Sequence, residues 1–73
     1  MGSVYKKHHA WHSSELYSVG SRNYFGYNGT LYILTTEELY KVLMEVADMN
    51  PEVCANYLIQ QATTRKRFKK ISG

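Results

Sequence analysis

An α+β fold, a small antiparallel sheet followed by two α-helices, is predicted by three features of the sequence. Asn28-Gly29 sits between runs of aromatic and β-branched residues. Thr35 stands three residues ahead of Glu38, just before an apolar repeat. Asn50-Pro51 opens a second apolar repeat. The first feature is the strongest short-range hairpin signal. The other two are helix starts.

Taken in order, residues 1–14 are polar and lack a period, and they contain the stretch KKHHAWH. They read as a flexible arm, ordered only where something holds it. Glu15 to Val19 alternates polar and apolar residues and predicts a short strand, with Gly20-Ser21 as a turn. Arg22 to Leu34 predicts the hairpin. A two-residue turn at Asn28-Gly29 pairs Tyr27 with Thr30, Phe25 with Tyr32 and Asn23 with Leu34. It also pairs Gly26 with Leu31 and Tyr24 with Ile33. Paired residues share a face. One face then carries Phe25, Tyr27, Tyr32 and Leu34, and the other carries Tyr24, Leu31 and Ile33. A small sheet packed against helices buries one of these apolar faces, and little chain is left to cover the second.

Thr35 as N-cap with Glu38 at N3 forms a capping box, and acids suit the positive end of the helix dipole. Leu39, Val42, Leu43 and Val46 follow at helical spacing,, with the helix ending near Met49. Asn50 caps the second helix and Pro51 takes its first position. Its apolar stripe is Val53 or Cys54, then Tyr57, Leu58 and Ala62. Thr63-Thr64 weaken it ahead of the basic end. The expected architecture is a two- or three-stranded meander and two helices over residues 15–67, with an N-terminal arm at 1–14 and a basic tail at 68–73.

A chain of 73 residues is one domain,. At this size it buries roughly 60% of its unfolded surface, which leaves little room for a deep cleft. Cys54 is the single cysteine, so no internal disulfide forms,. No apolar run approaches the length of a membrane span, and no signal peptide is expected, since residues 1–15 lack an apolar stretch,. The expectation is a soluble protein without membrane association, monomeric and cytoplasmic. Net charge is +3. Five of the nine basic residues are Arg65, Lys66, Arg67, Lys69 and Lys70, and five of the six acids fall between Glu37 and Glu52. Such polarity bears on partners, not on fold.

Four kinds of chemistry compete. His8, His9 and His12 have ligand-like spacing, but all three lie in the arm without a rigid frame, so no metal and no cofactor is expected. Glu37 and Glu38 are accounted for by capping. Ser13-Ser14 beside His12 and Glu15 cannot hold a preformed relay on a flexible segment, so no enzyme is expected. Arg65, Lys66, Arg67, Lys69 and Lys70 surround Phe68 and suit a sequence-independent nucleic-acid tail with one stacking ring. Against that, cations also gather at helix C-termini because the dipole prefers them. A protein partner accounts for more of the features. An open hairpin edge accepts a strand from another chain, and Trp11 with Tyr5 supplies aromatic anchors. The partner-binding residues read this way are Tyr5, Lys6, Lys7, His8, Trp11, Tyr27 and Tyr32. A plain aromatic core accounts better for Tyr24, Tyr40 and Tyr57.

Across its whole length the chain resembles the small phage-encoded transcription regulators that bind host RNA polymerase. The resemblance rests on SVYKKHHAWHSSELY, NYFGYNGTLYIL, TTEELYKVLMEVADMN and PEVCANYLIQQATTRKRF. It implies binding to the N-terminal segment of the polymerase β′ subunit and to the β subunit near the RNA exit channel, in the cytoplasm of the bacterial host. It further implies inhibition of σ-dependent initiation, and antitermination alongside NusA. The basic tail would then lie near nascent RNA, DNA or an acidic polymerase surface.

Overall fold

The computed structural model describes residues 4–73. It contains strands β1 (Tyr5–Trp11), β2 (Ser14–Val19), β3 (Arg22–Tyr27) and β4 (Thr30–Leu34), helices α1 (Thr36–Glu45) and α2 (Pro51–Thr63), and strand β5 (Lys69–Ser72). The fold is α+β. Five antiparallel strands form one sheet in the order β1-β2-β3-β4-β5, with both helices inserted between the last two strands.

The central hairpin has the expected register at all five pairs, from Asn23 opposite Leu34 to Tyr27 opposite Thr30. Asn28 and Gly29 take φ of 49° and 79°, the left-handed values that a type I′ turn needs. The capping box is also present. Thr35 Oγ1 accepts from the Glu38 amide at 3.1 Å, and Glu38 Oε1 accepts from the Thr35 amide at 2.9 Å. Asn50 Oδ1 accepts from the Val53 amide at 2.9 Å, with Pro51 at the start of α2. Helix α1 ends at Glu45, short of Met49, and residues 46–48 form turns.

Both ends of the chain differ from expectation. The arm at 1–14 becomes strand β1 from Tyr5 onward, paired along β2; residues 1–3 lie outside the described residues. Two devices hide this strand from a pattern reading. Its register shifts between Lys7 and His9, so a bulge breaks the two-residue period. The turn into β2 is His12-Ser13, with His12 at φ 48°, a left-handed position without the usual Gly or Asn. The tail at 68–73 is likewise strand β5, paired with β4. Lys66 at φ 52° reverses the chain after α2, and the Arg67 amide donates to the Gln61 carbonyl at 2.8 Å. That reversal brings the last strand back to the sheet.

The core lies between the sheet and the helices. Leu16, Phe25, Tyr32 and Leu34 come from the strands, Leu39, Val42 and Val46 from α1 and its end, and Cys54, Leu58 and Ala62 from α2. Phe68 completes it at 3% exposure, with its ring 6.1 Å from Phe25. Phe68 is therefore a core residue rather than a stacking ring on a tail. Full burial of such a side chain stabilises by about 1.5–3 kcal/mol. Three tyrosines also change roles. Tyr32 is buried at 7% exposure and packs in the core, while Tyr40 is 62% exposed on α1 and Tyr24, opposite Tyr17 and Ile33, lies outside the core on the other face of the sheet. Cys54, not Val53, faces the core. No helix among the described residues is long and apolar enough to cross a membrane.

Candidate functional site

Strand β1 is an edge strand, hydrogen-bonded on one side only within the described chain. Five of the seven residues expected to hold a partner lie on it: Tyr5, Lys6, Lys7, His8 and Trp11. Tyr5, Lys6 and Lys7 are exposed. His8 is half-buried, and its Nε2 lies 2.8 Å from Ser18 Oγ. The Ser18 hydroxyl donates to Asn23 Oδ1 at 2.7 Å, and Asn23 Nδ2 donates to the Leu34 carbonyl at 3.3 Å. Because Ser18 spends its hydrogen on Asn23, its oxygen accepts from Nε2–H of His8. This chain ties the edge strand to β2, β3 and β4. Burial, and then the Lys6 charge, hold the His8 imidazolium below its usual range. Burial alone lowers His9, whose Nε2 is buried without a hydrogen-bond partner.

Trp11 is half-buried on the helix side of the sheet, its ring 4.6 Å from His12 in an edge-on arrangement. It shares a shallow pocket of about 350 Å³ with Tyr27, Ala55 and Ile59. Trp11 and Tyr27 thus stand together at one end of the molecule, beside α2. Tyr32 does not join them, because it is in the core. His8, His9 and His12 do not converge on a point, and among the described residues no group of three His, Cys, Asp or Glu residues is placed to hold a metal ion.

The basic residues near the C-terminus separate into two kinds. Arg67 Nη1 lies 2.7 Å from Glu45 Oε1 and also reaches Gln61 Oε1 at 3.3 Å. The Tyr57 hydroxyl donates to the same Glu45 oxygen at 2.7 Å. Hydrogen bonds from Arg67 and Tyr57 hold the Glu45 carboxyl below its usual range. Arg67 is thus used in fastening the end of α1 to the chain after α2. Arg65, Lys66, Lys69 and Lys70 are exposed. Lys69 and Lys70 sit on β5, the opposite edge of the sheet.

The two edges are built alike. Each carries two consecutive lysines, Lys6-Lys7 on β1 and Lys69-Lys70 on β5, and each has a shift of register. Charge and bulges keep exposed edges from pairing with a second copy of themselves. They leave an acidic partner strand free to approach.

Sequence reasoning finds the sheet face opposite the helices but does not read it as a site; of its residues only Tyr5, Lys7 and Lys69 are expected to bind a partner. Register places Lys7, Tyr17, Tyr24, Ile33 and Lys69 in one row across all five strands. Tyr5, Val19 and Arg22 form the neighbouring row. Tyr17 lies 5.6 Å from Tyr5 and 5.5 Å from Tyr24, centroid to centroid, with tilted rings. The signal is present in the hairpin register, which puts Tyr24, Leu31 and Ile33 on the second face. Without β1 and β5, the row has no basic ends. No protein-family model, curated protein or solved structure matches the chain.

Proposed function

We propose that this chain is a non-enzymatic regulator that holds a protein partner along edge strand β1, and that the partner is bacterial RNA polymerase. The observation that carries the reading is β1 itself. One open strand edge presents Tyr5, Lys6 and Lys7 to solvent, on a backbone fixed by its pairing with β2. An open edge offers main-chain hydrogen bonds for affinity, and its side chains select the partner. The paired lysines favour an acidic segment and oppose a second copy of this chain. The identity of the partner comes from the resemblance to phage-encoded polymerase-binding regulators. On that reading the β′ N-terminal segment and the neighbouring part of β receive the strand. Binding disfavours the σ-containing initiation complex, and assists elongating polymerase past terminators together with NusA.

Capture of purified polymerase by the immobilised chain, followed by transcription from a σ-dependent promoter, tests this. The wild-type chain should retain polymerase in high salt and inhibit initiation. Lys6→Glu with Lys7→Glu should leave the domain folded and reduce both effects at least tenfold. Retention that is unchanged in this variant removes β1 from the interface, and no retention of polymerase by the wild type refutes the proposal.

A further inference from the structure

We propose that the helix-free face of the sheet binds single-stranded RNA, with Tyr5, Tyr17 and Tyr24 as stacking platforms and Lys7, Arg22 and Lys69 meeting the phosphates. Three observations on the sheet face carry this, and two of its residues, Tyr5 and Lys7, are shared with β1. First, the three tyrosine rings lie side by side over β1, β2 and β3 at 5.6 and 5.5 Å. No helix among the described residues covers them, since the core lies on the other side of the sheet. Aromatic rings on an open sheet face are platforms for unstacked bases, and every base has a face to offer them.

Second, the cations are placed around the rings. Lys7 and Lys69 end the row that contains Tyr17 and Tyr24, and Arg22 flanks it on β3. All three are exposed. Five of the six acids lie elsewhere: Glu37, Glu38, Glu45, Asp48 and Glu52 belong to the helical layer and its connection. A polyanion therefore meets cations on this face and carboxylates on the opposite one. A duplex keeps its bases stacked and out of reach of the rings, so a single strand is the form that fits.

Third, the face has a depression where a nucleotide can enter. Gly26 occupies the row beside Tyr24 and has no side chain, and the space of about 540 Å³ there is lined by Lys7, Glu15, Tyr17, Gly26 and Leu31 among others. Among the described residues Glu15 is the one acidic side chain on the face, and it accepts from the Tyr5 hydroxyl. Beside a phosphate chain it is tolerated best where it accepts another hydroxyl hydrogen. The ribose 2′-hydroxyl supplies one and deoxyribose does not.

Fluorescence anisotropy with labelled octauridylate at low salt, on the purified full chain without polymerase, tests the proposal. Wild type should bind octauridylate more tightly than octathymidylate or a duplex of equal length. Tyr24→Leu should weaken binding by roughly tenfold or more, the effect of losing one stacked base, while Tyr24→Phe should keep it. Lys7→Gln with Lys69→Gln should flatten the salt dependence, by about 0.7 in log–log slope for each phosphate no longer neutralised. A Cβ at Gly26 comes no nearer than 3.8 Å to Leu31 Cδ1. Gly26→Val should therefore keep the thermal transition, fill the depression and weaken binding.

No binding of octauridylate overturns the proposal, as does equal binding of the duplex, or equal loss in Tyr24→Leu and Tyr24→Phe. Binding lost only on Arg65→Gln with Lys66→Gln moves the site to the loop after α2. Equal affinity for octathymidylate removes the assignment to RNA. If Tyr24→Leu abolishes polymerase capture and leaves RNA affinity unchanged, the face belongs to the protein partner and the inference fails. Because the RNA assay contains no polymerase, failure of the polymerase reading alone leaves its result standing.

Discussion

A side chain that fills the space between sheet and helices costs most when it is removed. Phe68 and Tyr32 are such residues, buried between β4, α2 and the return to β5. Phe68→Ala should destabilise the domain by about 3–5 kcal/mol, read as a lower urea midpoint. Tyr40→Ala, at an exposed position on α1, should change stability by about 0.5 kcal/mol or less. Comparable effects of the two would contradict the assigned burial. The two half-buried histidines of the edge strand predict a pH dependence of defined sign. Folding lowers the pKa of His8 and of His9 below the ordinary 6.5. The unfolded chain therefore binds more protons as pH falls through that range, and stability declines with it. Their contribution is fully present above the unfolded value and is lost as pH drops through the lower folded ones. The melting temperature should fall on acidification from neutral pH, and His8→Gln with His9→Gln should flatten the decline. A melting temperature that rises on acidification over this range would contradict it.

At the scale of elements, the fold depends on a few backbone positions that local chemistry specifies. Gly29 has φ 79° and nothing within 4 Å of an added Cβ, so Gly29→Ala is disfavoured by backbone conformation alone. The cost should be about 1 kcal/mol by denaturant titration. Asn50→Ala should cost about 1 kcal/mol through loss of the bond to the Val53 amide,. These elements were legible because their signals lie within four residues of chain. Thr35 to Glu38, Asn28-Gly29 and Asn50-Pro51 each bring a donor or a conformational preference to an immediate neighbour. Strands β1 and β5 carry no such signal. Each is held by a ladder to a strand already in place, and each has a bulge that scrambles the two-residue period. Deletion of residues 69–73 therefore tests β5 as a structural element. Loss of the ladder to β4 should lower the melting temperature, whereas a disordered tail would leave it unchanged.

For the molecule as a whole, charge is sorted by layer, with the acids of the helical layer facing away from the cations on the uncovered sheet. The lysine pairs at the two edges should keep the protein monomeric. Replacing Lys6, Lys7, Lys69 and Lys70 by Gln removes that protection, and sedimentation should then detect concentration-dependent self-association through the bare edges. A variant that stays monomeric would place the protection in the bulges instead. What the sequence by itself determined is local: the α+β class, the hairpin register, both helix starts, and the existence of a second apolar sheet face. Each depends on contacts between residues close in the chain or on a period carried by one segment. The tertiary structure alone decided what the two ends do. It paired Tyr5–Trp11 with β2, buried Phe68 against Phe25, committed Arg67 to Glu45, and aligned Lys7 with Lys69 across five strands. Those partners lie far apart along the chain. Edge-strand pairing, core packing and ion pairing of this kind are selected by the space and the unmet hydrogen bonds that the rest of the fold leaves, which no local window contains.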